Sequence, residues 1–130
     1  MAWIESHQKL QSDAKLLDLI EYLKLDDKIG TNLAIGILHR FWWWCVDHAE
    51  SGDLRPYNDN QLSRAVGWNG GAKEFVEAMA KAKFIEREPY FRVSNWWKFI
   101  GKYLQSKYKS SPERWKRVQA IYTEVLEDKL

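Results

Sequence analysis

Three consecutive tryptophans, Trp42, Trp43 and Trp44, constrain the fold of this chain more than any other feature of its sequence. They lie in residues 31–50, where the other apolar side chains recur at the three- and four-residue spacing of an α-helix. Successive helical residues point about 100° apart, so three large rings in a row face most of the helix circumference. We therefore predict a central helix over residues 31–50, capped by Thr31, ended by Ser51-Gly52 and packed on more than one side.

The same spacing predicts the buried face of this helix, which consists of Ala34, Ile37, Leu38, Phe41 and Cys45. Two interpretations of the tryptophans stay open. They form a packing hub between the N-terminal helices and the elements that follow, because large apolar side chains at helical spacing are usually buried. Alternatively, they form an aromatic platform on which bases stack. Cys45 is interpreted as a small buried hydrophobe.

Length and composition predict one soluble domain. The 130 residues are 45% hydrophobic and 29% charged, which is typical of a globular protein with a genuine core. No run of 18 apolar residues occurs, and the first residues lack the apolar centre of a signal peptide. We expect a cytoplasmic protein without a membrane partner. The single cysteine agrees with a reducing compartment.

The net charge of +2 conceals a strong asymmetry along the chain. Residues 1–80 hold 8 Lys and Arg against 12 Asp and Glu, whereas residues 81–120 hold 11 against 3 and the last ten residues hold 1 against 3. Such a split favours a phosphate-bearing partner for the basic segment. The alternative is that these lysines merely keep exposed helices in solution.

The segment before the central helix contains a second helical pattern. Asp13 is predicted to cap a helix over residues 14–24. Its apolar stripe consists of Leu16, Leu17, Ile20 and Leu23. This stripe requires a partner, and the tryptophan helix is the nearest one.

A helix-turn-helix pattern and a hairpin follow the central helix. After a short extended piece, Asn58 or Asp59 caps a helix that Gly67 ends, and a further helix covers residues 72–82. The period then changes to that of strands at residues 84–88 and 91–95, on either side of a turn. This order predicts a mainly α fold with a small β-hairpin, a winged helix-turn-helix with additional N- and C-terminal helices.

We divide the predicted single domain, residues 1–130, into three parts. An N-terminal helical extension covers residues 1–30, the winged-helix core residues 31–95, and C-terminal helices residues 96–130. Ser111 and Pro112 mark the start of the last helix. Its apolar stripe lies either on the domain itself or on another subunit. In the second case it is the predicted oligomerisation surface and includes Trp115, Val118, Tyr122 and Val125.

Six short stretches, taken in their order along the chain, carry a family resemblance. They are Trp3–Gln8, Leu38–Trp44, Ser51–Leu54, Gly67–Trp68, Phe75–Met79 and Phe84–Ile85. Together they resemble the N-terminal domain of phage and prophage replication proteins, the replisome organisers of the DnaD type. The resemblance covers residues 3–104 and implies a winged helix that binds DNA, or that assembles with itself and with other replication proteins at an origin.

The candidate nucleic-acid contacts lie mostly beyond the helix-turn-helix. Its second helix presents Lys73, Glu74, Glu77 and Lys81, and two carboxylates on that face disfavour base-specific readout. Phosphate contacts without sequence preference are favoured instead. The predicted contact residues are Lys73, Lys81, Lys83, Arg87, Arg92, Lys98, Lys102, Lys107 and Lys109. Aromatic side chains between these cations either stack on single-stranded bases or bury the C-terminal helices.

No catalytic constellation accompanies these residues. His7, His39 and His48 are scattered, and no pair of them has ligand spacing on one helix face with Cys45, so we expect no enzyme activity, metal or cofactor. The predicted function is a DNA-binding and assembly module of a phage-type replication initiation protein. Its partners would be double- or single-stranded DNA, other replication proteins and, in a homodimer, a second copy. Alternatives are an interaction or dimerisation module that does not bind DNA, and a transcriptional regulator.

Overall fold

The computed structural model describes residues 13–26, 28–88, 90–96, 104–117 and 119–120. Within them the elements follow in the order α1 (Ala14–Tyr22), α2 (Gly30–His48), α3 (Asp59–Ala65), α4 (Ala72–Lys81), β1 (Ile85–Glu86) and β2 (Arg92–Val93). Residues 104–107 and 112–117 are helical as well. The predicted mainly helical fold with a small antiparallel hairpin is confirmed, and its order is compatible with a winged helix.

Helix α1 begins where the sequence predicts. The Asp13 carboxylate accepts a hydrogen bond from the Lys15 N–H at 2.8 Å, which satisfies an amide that the first helical turn leaves free. At the other end Lys24 takes a left-handed backbone conformation with φ 55°. The Leu25 N–H then donates to the Ile20 carbonyl at 3.0 Å and closes the last turn.

The buried face of α1 differs from its predicted stripe at two positions, because Leu19 is buried in place of Leu17. Leu16, Leu19 and Leu23 are buried, whereas Leu17 is 53% exposed. Helix α1 packs against both α2 and α4. The prediction for Leu17 is wrong because two partner helices together centre the buried face on Leu19, and Leu17 points away from that centre.

Helix α2 begins one residue before the predicted cap. The Asp26 carboxylate accepts a hydrogen bond from the Lys28 N–H at 2.7 Å, and the Asp26 carbonyl accepts one from the Gly30 N–H at 2.6 Å. This turn starts the helix at Gly30, with Ile29 at the N-cap position and no side-chain cap. The cap prediction for Thr31 is wrong because Thr31 already lies inside the first turn.

The C-terminal end of α2 also precedes the predicted one. The helix ends at His48, and the Ala49 N–H donates to the Cys45 carbonyl. Gly52 lies beyond the helix with φ 81°, where a Cβ atom would stand 2.7 Å from Cδ1 of Trp96. Glycine is therefore required in the turn after α2 for its conformation and for its close contact with an indole.

The predicted buried face of α2 is confirmed, but the three tryptophans do not share one role. Trp42 and Trp44 are half-buried against the core, with ring centroids 6.3 Å from Phe84 and 4.7 Å from Tyr57. Trp43 is 52% exposed. Trp42 and Trp44 therefore pack against elements that follow α2, as one side of the predicted hub requires. The hub interpretation is wrong for Trp43, which lies on the side of α2 that faces away from the core.

Helices α3 and α4 are two short helices that are joined by a turn, as the sequence predicts. Asn58 and Gln61 make reciprocal side-chain to backbone hydrogen bonds of 2.9 Å, a capping box that begins α3. Gly67 ends this helix with φ 70°. The two helices pack against each other, and both contribute to the core. Fully buried side chains around this core include Leu16, Leu19, Leu38, Phe41, Leu62, Phe75 and Met79.

The hairpin is short and carries a third extended segment. Strands β1 and β2 pair antiparallel, with Ile85 opposite Val93 and Glu86 opposite Arg92. Asp53 forms a further antiparallel bridge to Arg92. The short extended piece predicted after α2 thus joins the hairpin, which fixes the hairpin to the end of α2.

We predict that Gly36→Ala stabilises the protein by about 0.5–1 kcal/mol, because glycine in a helix interior is less favourable than alanine. A Cβ atom at Gly36 meets nothing within 4 Å. The matched variant Gly30→Ala would place Cβ 3.1 Å from Cγ2 of Ile20 and 3.2 Å from Cβ of Leu25, so its gain is expected to be smaller or negative. Urea unfolding followed by circular dichroism measures both, and an equal gain at Gly30 would contradict the close packing of α1 on α2.

Candidate nucleic-acid interface

The exposed side of α4 carries balanced charges. Lys73 and Lys81 are exposed, as is Glu74, and Glu77 is half-buried beside them. The Lys81 ammonium lies 5.9 Å from the centroid of the Tyr22 ring and so leans toward α1. Two cations and two carboxylates on this face provide no net attraction for phosphates.

The hairpin presents two of the predicted cations to solvent. Lys83 is exposed in the turn before β1, where it takes a left-handed conformation with φ 67°. Arg87 is exposed after β1, with its guanidinium 5.5 Å from the centroid of the Phe91 ring. The contact with Phe91 orients the Arg87 side chain across the hairpin.

Arg55 is a third hairpin cation, and the sequence interpretation missed it. Its Nε and Nη2 atoms donate to the two carboxylate oxygens of Asp53 at 2.9 and 3.0 Å. Its guanidinium also lies 4.3 Å from the centroid of the Tyr90 ring. The alternation of Asp53 and Arg55 in an extended piece was the available signal, because residues two apart in a strand share a face.

Arg92 does not fit its predicted role as a phosphate contact. Its exposed fraction is 7%, and its Nη2 atom lies 2.6 Å from the Glu86 carboxylate. Its Nη1 atom donates to the carbonyls of Glu88 and Tyr90. The guanidinium thus holds the turn between the two strands together. Its position opposite Glu86 in the hairpin and beside the Asp53 bridge takes it away from solvent, so we correct Arg92 to a structural residue.

Glu50 fastens the C-terminal segment to the end of α2. Its carboxylate accepts a hydrogen bond from the Tyr108 hydroxyl and lies 3.3 Å from the Lys107 ammonium. Its carbonyl accepts a hydrogen bond of 2.7 Å from Nε1 of Trp96. One acidic residue in the turn after α2 therefore binds three side chains from the part of the chain beyond the hairpin.

The surroundings of Tyr108 favour its protonated form, the form that donates to Glu50. Burial raises the pKa of Tyr108, and the bond to the Glu50 carboxylate and its charge raise it further, although Lys107 and Arg114 act in the opposite direction. These two cations lie 5.3 and 5.7 Å from the centroid of the Tyr108 ring. Tyr108 is thus a protonated donor surrounded by cations.

The segment that Tyr108 anchors is strongly basic. Residues 104–117 contain five cations and one carboxylate, that of Glu113. The cations are Lys107, Lys109, Arg114, Lys116 and Arg117, and all are exposed. The predicted contacts Lys98 and Lys102 lie outside the described residues, as do Val118, Tyr122 and Val125 of the predicted oligomerisation stripe. Trp115 of that stripe is half-buried and packs against the core of its own chain.

Both groups of cations are attached to residues 50–55. Glu50 binds the C-terminal segment, and Asp53 pairs with the hairpin. Three residues of extended chain span at most about 11 Å, so the two attachment points are close together. We call the two groups together the basic edge. It consists of Arg55, Lys83, Arg87 and the five cations of residues 104–117.

Other kinds of site have less support in the part of the chain that the structure describes. There, no group of three or more His, Cys, Asp or Glu side chains is arranged to hold a metal ion. Cys45 is fully buried, as predicted, and burial raises the pKa of its thiol. Among the same residues no helix has the length and apolarity needed to cross a membrane.

Comparison of the chain with protein-family models, curated proteins and solved structures finds no match. The resemblance to replisome organisers of the DnaD type therefore stays a prediction from the sequence.

We predict that Tyr108→Phe lowers the free energy of unfolding by about 1–2 kcal/mol at pH 7, because it removes a hydrogen bond to a carboxylate. Since the pKa of Tyr108 is raised in the folded state, this contribution is present below the unfolded-state pKa near ~10 and is lost as pH rises through the folded-state value. Urea unfolding between neutral and strongly alkaline pH measures it. The free energy of unfolding should decrease less at alkaline pH in the variant than in wild type. Parallel pH profiles of the two proteins would refute the contact.

We predict that Arg92→Ala destabilises the hairpin by about 1–3 kcal/mol, because it removes hydrogen bonds of a buried charged group. The matched control is Arg87→Ala, which lies in the same hairpin but is exposed and should change stability by less than about 0.5 kcal/mol. Thermal unfolding of the two variants compares them. Equal, small effects in the two variants would show that Arg92 has no structural role in the hairpin.

Proposed function

We propose that this chain is a DNA-binding and assembly module of a phage-type DNA replication initiation protein, built as a winged helix whose contacts are mostly with phosphates. The observation that carries the proposal is the basic edge. Phosphate contacts by Lys and Arg supply affinity without sequence preference, and they make binding strongly salt-dependent. The replication assignment is supported by the sequence resemblance.

The proposed winged helix assigns a role to each element. In it α2 is the first helix, Asp53 belongs to the first strand, α3 and α4 are the helix-turn-helix, and β1 and β2 are the wing. The second helix of such a motif usually reads the major groove. Because α4 exposes balanced charges, we assign most of the binding energy to the wing and to residues 104–117.

Phosphates are favoured over bases because cations cover the aromatic rings near the basic edge. Arg55 lies over Tyr90, Arg87 over Phe91, and Lys107 over Tyr108. A ring face that contacts a cation is not open to a nucleobase, whereas the cation itself is held in place and loses less conformational entropy on binding a phosphate. The module should therefore bind duplex and single-stranded DNA through their backbones.

An interaction module is the second candidate, and a specific observation favours it. Ile29, Leu33 and Trp43 are large apolar side chains that are exposed along one side of α2. Groups of this kind commonly mark protein contacts. The two functions are compatible, because this side of α2 and the basic edge are built from different residues.

The DNA proposal is tested by reversing two charges within the basic edge. The double variant Lys109→Glu, Lys116→Glu should weaken binding to a duplex of arbitrary sequence at low salt by at least about tenfold. The slope of log K against log salt is negative, and its magnitude should decrease by about 2, because each lost phosphate contact removes about 0.9. Fluorescence anisotropy at several salt concentrations measures both quantities.

A control with the same net charge separates a local site from overall attraction. The double variant Lys15→Glu, Lys24→Glu changes the net charge from +2 to −2, as the test variant does, but places the carboxylates on and just after α1. It should bind nearly as well as wild type. Equal losses in the two variants would show attraction by net charge alone, and an unchanged slope in the test variant would reject the basic edge as the DNA-binding surface.

A further inference from the structure

The side of α2 that faces away from the core carries a regular stripe. Its members are spaced alternately four and three residues apart, and all are exposed: Ile29, Leu33, Gly36, Arg40, Trp43 and Asp47. We call this surface the outer stripe. Ile29, Leu33 and Trp43 are 52%, 44% and 52% exposed, and they are three of the five large apolar side chains most exposed among the described residues. A spacing of alternating four and three residues is that of a seam between two helices.

From this stripe we infer that two copies of the chain pair through antiparallel α2 helices. The two-fold axis crosses the outer stripes at the level of residue 38 along each helix. This surface differs from the C-terminal stripe that the sequence predicts for oligomerisation. The inference does not rest on DNA binding.

The positions of the outer stripe are symmetric about residue 38. Leu33 and Trp43 lie five residues on either side of it, and Gly36 and Arg40 lie two residues on either side. In an antiparallel pair Leu33 of one copy therefore faces Trp43 of the other, which buries two exposed apolar groups against each other.

The centre of the stripe is open enough for two helices to approach. A Cβ atom at Gly36 would meet nothing within 4 Å. In the pair the aliphatic stem of Arg40 from one copy crosses Gly36 of the other, so that a long side chain faces a position without one. The guanidinium of Arg40 lies beside Gly67 at the edge of the stripe, which leaves the seam itself uncharged at its centre.

The charges at the two ends of the outer stripe favour a second copy of the chain as its binding partner. Helix α2 begins after Ile29 without a side-chain cap, and its Gly30 N–H donates to the Asp26 carbonyl, so a further negative charge is stabilising at the positive end of its dipole. In the antiparallel pair Asp47 of one copy lies opposite Ile29 of the other, because both positions are nine residues from residue 38. Each carboxylate thus stands at the N-terminus of the other α2, where a negative charge is stabilising.

Solution mass tests the pairing. The chain has a mass of 15.5 kDa, so sedimentation equilibrium should show a concentration-dependent approach to twice that value. Gly36→Arg places a long side chain and a second cation where the stem of Arg40 from the other copy crosses, so it should weaken the dimer by about tenfold or more, while the open space around Gly36 leaves the folded subunit intact. Trp43→Ser should weaken it similarly. Tyr22→Ser, which removes a ring that is 44% exposed on α1, is the matched control and should retain the dimer.

Disulfide trapping tests the direction of pairing. Under mild oxidation the double variant Ile29→Cys, Asp47→Cys should form a covalent dimer, whereas each single variant should not. Within one chain the two positions are about 27 Å apart along the helix, too far for a disulfide. Cross-linking of Ile29→Cys alone would indicate a parallel pair and overturn the inference.

Three results of the mass measurements would also overturn it. They are a monomer at all concentrations, an unchanged dimer in Gly36→Arg, and loss of single-stranded DNA binding in Trp43→Ser without any change in mass. The last result would identify Trp43 as a base-stacking platform instead. If Trp43→Ser does not fold, Gly36→Arg decides the question. All masses are measured without DNA, so failure here leaves the DNA proposal unaffected.

Discussion

Burial of one face of α2 is the interaction on which the rest of this structure depends. Leu38, Phe41 and Cys45 on that face are fully buried, and α1 and α3 both pack against the helix. The turn that follows α2 carries the acidic residues Glu50 and Asp53, which attach the C-terminal segment and the hairpin. Because both attachments start from the same turn, the position of α2 in the core sets the positions of both groups of cations.

The acidic residues near the basic edge position cations and do not simply cancel them. Glu86 holds Arg92 inside the hairpin, and Asp53 holds Arg55 over the Tyr90 ring. Arg55, the exposed one of these two arginines, therefore has less conformational freedom to lose when it meets a phosphate. The outer stripe of α2 is a separate surface of the same helix. Self-association through the outer stripe would leave the basic edge of each copy accessible. The dimer would then have two surfaces for the same DNA molecule, and binding through both raises the overall avidity.

Much of the secondary structure could be predicted because its signals are local. The sequence predicted the cap at Asp13 and narrowed that of α3 to Asn58 or Asp59, because both caps depend on hydrogen bonds within three residues. The buried face of α2 follows from helical spacing over five apolar residues. Thr31 was misassigned for a related reason, since the Asp26 turn begins α2 one residue earlier. The turn at Asp26 is as local a signal as a cap at Thr31, and it is the turn that decides where α2 begins.

By itself, the sequence determined the order of elements, the apolar side of each helix and the excess of cations beyond residue 81. Only the tertiary structure decided which of those side chains reach solvent. Trp43 and Leu17 are apolar residues on well-predicted helices, yet both are exposed because no described element covers their side. Arg92 has the same charge as Arg87, yet it is buried because it lies opposite Glu86 and bridges to Asp53. Exposure depends on elements distant in sequence, which local periodicity and charge do not specify.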